Sequence, residues 1–111
     1  MKVARELEEA LVYPQKAYAL ARGTPNVADT LAWVLHMMGN DVEALRTIAP
    51  AVRAAPNAAL LFLHVAFIDA ALGETVPAAA ALSRAVTLDP ELEKQADVQA
   101  LRAKVGRPAK P

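Results

Sequence analysis

The chain has 111 residues and no cysteine, and its twelve basic and twelve acidic side chains cancel to a formal charge of zero. That length suits one domain, which buries about two-thirds of its extended surface, and the lack of thiols excludes a disulfide framework and a thiolate zinc site. A balanced charge supplies no long-range field to gather nucleic acid or to hold the protein on an anionic membrane, so it points to a protein partner.

The opening stretch, Met1-Lys2-Val3-Ala4-Arg5-Glu6-Leu7-Glu8-Glu9, carries acids where a signal peptide runs apolar. No stretch reaches the roughly 18 uncharged apolar residues of a membrane span. Read as it stands, the chain is expected to be cytoplasmic and not inserted in a membrane; a fragment of an exported parent would leave the compartment open. Glu6, Glu8 and Glu9 read as a solvated helix face. Apolar residues recur at helical spacing through most of the chain, without the alternation of a half-buried strand, so the expected fold is all-α.

Residues 1–24 read as a degenerate partial repeat. Ala10 and Ala17 stand 34 positions before Ala44 and Ala51, and Pro14 breaks the segment, because proline lacks the N–H that an interior helical bond needs. Residues 25–56 form the first full unit. Thr24 is placed as N-cap with Pro25 at the first helical position. Val27, Leu31, Val34, Leu35 and Met38 then make an apolar face that ends at Gly39, a C-cap. Asn40 or Asp41 caps a second helix, along which Val42, Leu45, Ile48, Ala49 and Val52 keep the spacing until Pro56 forbids continuation.

Residues 57–89 repeat the plan: a helix from about Asn57 to Leu72, Gly73 as stop, Thr75 as cap, and a helix through Leu88. Asp89-Pro90 then caps and opens a last helix over 90–105, more polar than the rest, which suits the closing element of a stacked array. The tail 106–111 is expected to be disordered.

Gly39, Ala44, Ile48, Ala51 and Pro56 recur as Gly73, Ala78, Leu82, Ala85 and Pro90, each 34 residues later. A period of this length with small residues at fixed places and a closing proline marks a helix-turn-helix unit that stacks on copies of itself. At Leu31-Ala32-x-x-Leu35, Ala44-x-x-x-Ile48 and Pro56, then Phe62-x-x-Val65-Ala66, Ala78-x-x-x-Leu82 and Pro90, the chain resembles the tetratricopeptide repeat family over residues 25–105. It departs from that pattern at Ala28, where an aromatic is expected, and at Asp69, where a tyrosine is expected.

A narrower stretch, Lys16-Ala17-Tyr18-Ala19-Leu20-Ala21 with Pro25-Asn26-Val27-Ala28-Asp29-Thr30-Leu31-Ala32-Trp33-Val34-Leu35, is similar to tetratricopeptide lipoproteins of bacterial exosortase (PEP-CTERM) systems, although no lipoprotein signal is present here. The resemblance implies an α-α superhelix whose first helices line a concave groove. That groove would carry Asn26, Asp29, Trp33, His36 and Met37, then Leu60, Leu63, Phe67, Ala70 and Ala71. The set is mostly apolar and lacks the lysine, asparagine and arginine donors of a carboxylate clamp. It suits a peptide, an amphipathic helix or an apolar extended segment anchored on Trp33, Met37, Leu63 and Phe67. A homodimer or another subunit covering the groove or completing the first repeat is the alternative.

Catalytic chemistry finds little to stand on. His36 and His64 lie in different helices without ligand spacing, so no metal is expected. Asp69 interrupts an apolar run, and it is expected to meet a basic neighbour or solvent after a slight rotation of its helix. Ser83 has no base at an inferable distance, and the isolated glycines form no phosphate loop, so neither an enzyme nor a cofactor is expected.

Overall fold

The computed structural model describes residues 24–106. The partial repeat expected over 1–24, including Ala10, Pro14, Ala17 and the early glutamates, lies outside the described residues apart from Thr24. The tail after Gly106 lies outside them too. Among the described residues every regular element is helical: α1 (Pro25–Met37), α2 (Asp41–Ala54), α3 (Ala59–Ala71), α4 (Thr75–Leu88), a 3-10 helix (Pro90–Lys94) and α5 (Ala96–Val105). No helix among them is long and apolar enough to cross a membrane.

The chain divides into two compact units between Pro56 and Asn57. In the first, α1 packs on α2. Pro25 opens α1 with its φ already helical, and Thr24 takes the extended cap conformation, but its side chain makes no capping bond. One device ends α1 and starts α2. Gly39 at φ +82° lets its N–H bond the His36 carbonyl at 2.9 Å while the Asn40 N–H bonds the Leu35 carbonyl at 2.8 Å. That pair of hydrogen bonds is a Schellman closure. It leaves Asn40 as the N-cap of α2.

The second unit repeats the closure at Gly73 (φ +78°), with Gly73 N–H on Ala70 and Glu74 N–H on Asp69. The cap of α4 is therefore Glu74, and Thr75, expected as the cap, is its first helical residue. The three-residue link Leu72-Gly73-Glu74 set by the glycine dictates the start one position early. Proline is treated differently in the two units. Pro77 sits at the third position of α4, where a backbone N–H has no intrahelical partner to lose, whereas Pro50 lies inside α2 and removes a bond there.

Helix spans in the two units are offset by 34 residues at both ends: α1 with α3, and α2 with α4. Ala32 and Ala66, Ala44 and Ala78, and Ile48 and Leu82 all have 0% exposure, and Ala51 and Ala85 have 2% and 0%. Alanine at these places lets two helix axes approach closely, while Ile48 and Leu82 supply the apolar volume.

The final helix expected over 90–105 is broken. Gln95 is extended (φ −76°, ψ 135°) between the 3-10 helix and α5. In one continuous α-helix, Leu92 and Leu101 would point about 180° apart. The break brings Leu92, Val98 and Leu101 into the same core as Leu63, Ala66, Leu82 and Ala85. Burial of both leucines outweighs the few helical bonds given up. Asp89 caps the 3-10 turn, its Oδ1 accepting from the Glu91 N–H at 3.2 Å.

Candidate functional site

Within the first unit, α1 presents Asn26 to solvent and holds Asp29, Trp33 and His36 half-buried, with Met37 50% exposed. Trp33 and His36 lie one turn apart, and their rings meet at 4.9 Å between centroids with planes tilted by 41°. His36 also reaches across the Gly39 turn to Asp41, the first residue of α2. The carboxylate fixes the imidazole through Nδ1 and so leaves Nε2 as the nitrogen available to a ligand. Met38 (36% exposed) and Val42 (53%) add apolar surface near the same turn.

Sequence reading named Trp33, His36 and Met37 but missed Asp41. The signal lay in the five-residue spacing of His36 and Asp41 around a glycine stop, which brings the end of one helix to the start of the next.

In the second unit, α3 leaves Leu60 56% exposed and Phe67 partly buried, packed against the core. Leu63, expected as a groove anchor, is 4% exposed and belongs to that core. Its counterpart 34 positions earlier is the half-exposed Asp29. An Asp29/Leu63 exchange at one repeat position reports that the two first helices present different surfaces. Of the other two groove positions expected on α3, Ala71 is exposed, whereas Ala70 is buried in the core and does not line a groove.

Asp69 corrects the expectation of a basic or solvent-facing neighbour. It is 6% exposed. Burial pushes its carboxyl above the ordinary value of 3.8, and the charge of Glu74 across the turn adds to the rise. Rotating α3 does not free it, because Ile68 and Ala70 on either side in sequence are themselves 0% and 6% exposed.

Ser83, Arg84 and Arg102 have structural partners. Ser83 Oγ accepts from Arg102 Nη1 at 3.2 Å, and the second guanidinium nitrogen lies 3.9 Å from Glu93 Oε1. Glu93, Val98, Gln99 and Arg102 line a cleft there. Arg84 stands 5.8 Å over the Phe62 ring, a cation–π distance. His64 is half-buried in α3. Among the described residues no group of three or more His, Cys, Asp or Glu side chains is placed to hold a metal ion. No protein-family model matches the chain, and no curated protein matches it.

Proposed function

We propose that the chain is a non-catalytic tetratricopeptide-type scaffold that holds a peptide, a helix or a protein segment. The observation behind this reading is one helix pair occurring twice, with spans offset by 34 residues and buried alanines at the same three positions of each pair. Small residues there permit the close helix approach on which this repeat type depends.

Asn26, Asp29, Trp33, His36 and Met37 on α1, and Leu60 and Phe67 on α3, are the contact residues of this reading. Leu63 is withdrawn because it fills the core. Met37 and Leu60 are half-exposed, and fully covering a side chain of this size contributes about 1.5–3 kcal/mol. An amphipathic helix or an apolar extended segment supplies the matching surface.

A display library of amphipathic helical and extended apolar peptides tests the reading, with binding followed through Trp33, the single tryptophan, and by calorimetry for the variant that lacks it. Met37→Lys and Leu60→Lys lie at exposed positions and should abolish binding with unchanged circular dichroism. Peptides that keep their affinity for both variants and for the Trp33→Ala/Phe67→Ala protein would show the reading to be wrong.

An assembly element is the second reading. It draws on Val42 and Val76, which occupy the same repeat position and are 53% and 76% exposed. Light scattering decides between the two: a concentration-dependent dimer without ligand selects assembly, and a monomer selects peptide binding.

A further inference from the structure

The break at Gln95 turns α5 against the 3-10 helix, and Glu93 from the one with Val98, Gln99 and Arg102 from the other line a single cleft of about 270 Å³. In an unbroken helix Glu93 and Arg102 would point about 180° apart. We propose that this cleft binds a free α-amino acid with a small apolar side chain, its carboxylate on Arg102 and its ammonium on Glu93 and Gln99. The inference is independent of the scaffold reading, because it uses no residue of the groove.

Arg102 supplies the anion contact. Its side chain is 17% exposed, and Nη1 donates to Ser83 Oγ at 3.2 Å and to the Gly106 carbonyl at 3.5 Å, which holds the guanidinium plane in place. Nη2 makes no hydrogen bond among the described residues, since Glu93 Oε1, at 3.9 Å, lies beyond hydrogen-bond length. A guanidinium anchored through one nitrogen and sheltered from much of the solvent offers its second nitrogen to a carboxylate in a charge-assisted bond. The anchoring Ser83 stands where Ala49 stands in the first unit, so the repeated helix pair itself does not require the hydroxyl.

The ammonium meets two acceptors. Gln99 Nε2 donates to the Glu93 carbonyl at 3.1 Å, which ties α5 to the 3-10 helix and leaves the amide oxygen of Gln99 as an acceptor. The half-exposed Glu93 carboxylate supplies the second acceptor and the negative charge. The opposite charges of Arg102 and Glu93 thus stand side by side without a hydrogen bond between them. A simple anion is repelled by Glu93 and a simple cation by Arg102, whereas a zwitterion with both charged groups on one carbon complements the pair.

Size and lining narrow the ligand further. Pockets for drug-sized molecules run about 300–1,000 Å³, so this one suits a smaller molecule. Val98, 1% exposed and part of the core, closes the floor. The methylene stems of Gln99 and Arg102 add apolar wall. An aliphatic side chain such as that of valine matches this lining.

Titrating the ¹⁵N-labelled full chain with L-valine tests the proposal through the amide resonances of Val98, Gln99 and Arg102. Their shifts should saturate with added valine. N-acetyl-L-valine lacks the ammonium and L-valinamide lacks the carboxylate, and each should bind at least about tenfold more weakly. Glu93→Gln keeps the shape of a half-exposed side chain and removes its charge; with unchanged circular dichroism it should weaken valine binding by a similar factor. Arg102→Lys should do the same. The proposal is overturned by shifts that do not saturate, by either blocked derivative binding as tightly as valine, or by full affinity in Glu93→Gln.

Discussion

His36 at the end of α1 is tied to Asp41 at the start of α2, with Nδ1 and Oδ1 2.5 Å apart across the Gly39 turn. The pair is largely sheltered, at 21% and 13% side-chain exposure. The second unit has Ala70 and Thr75 at the same places, so this tie belongs to the first helix pair alone.

Removing the tie should be measurable. Asp41→Ala loses a sheltered bond to the imidazole and an acid in the first turn of α2, and should lower stability by about 1–2 kcal/mol. Glu43→Ala provides the contrast. Its ion pair with Arg46 spans 2.9 Å between half- and three-quarter-exposed side chains, and its loss should cost less than about 0.5 kcal/mol. Urea denaturation of the two variants compares them; equal losses would mean that the turn does not depend on the His36–Asp41 bond.

Gly39→Ala and Gly73→Ala should each cost about 1–2 kcal/mol. Nothing lies within 4 Å of a β-carbon at either place, while both residues have φ near +80°. The cost is therefore backbone strain rather than collision. Asparagine tolerates this region better than alanine, so Gly39→Asn and Gly73→Asn should be milder in thermal melts. An alanine variant as stable as the parent would refute the strain argument.

Asp69 gives the protein a signed pH dependence. Its folded-state carboxyl is raised above the ordinary 3.8 by burial and by Glu74, so the native state holds the proton more tightly than the unfolded chain does. The stability it contributes is complete below 3.8 and is lost as pH rises through the raised folded value. Asp69→Asn should flatten that part of the profile and gain on the parent as pH increases toward neutral. Unfolding free energies of both proteins across this range check it. A difference that stays constant with pH would show that Asp69 titrates alike in both states.

These tests also mark which structural features the sequence disclosed. The glycine stops and both helix pairs were legible, because a 34-residue recurrence repeats the same local signals and each unit corroborates the other. Asp69 was misread for a tertiary reason. Periodicity treats a helix as having one apolar face, but α3 buries Leu61, Leu63, Ala66, Ile68, Asp69 and Ala70, which spread round its axis. The same feature hid Leu63, whose repeat position is occupied by a half-exposed aspartate in α1. His36 and Met37 were visible as α1 surface residues, whereas the bond to Asp41 needed the turn geometry.

The break at Gln95 had no signal of its own, since 90–105 contains good helix formers and no internal glycine or proline after Pro90. Only the demand that Leu92 and Leu101 enter one core reveals it. The break makes a prediction whose sign separates two structures. Gln95 has the extended conformation of an N-cap but makes no side-chain capping bond. Serine supplies a short acceptor for a first-turn N–H of α5 besides that of Val98, which Asp97 Oδ1 already accepts, so Gln95→Ser should stabilise the protein by about 0.5–1 kcal/mol. In an unbroken helix over 90–105 the same substitution would replace a better helix former in the interior and destabilise it by a few tenths of a kcal/mol. Urea denaturation reads the sign directly: a gain supports the cap at Gln95, and a loss restores the continuous helix.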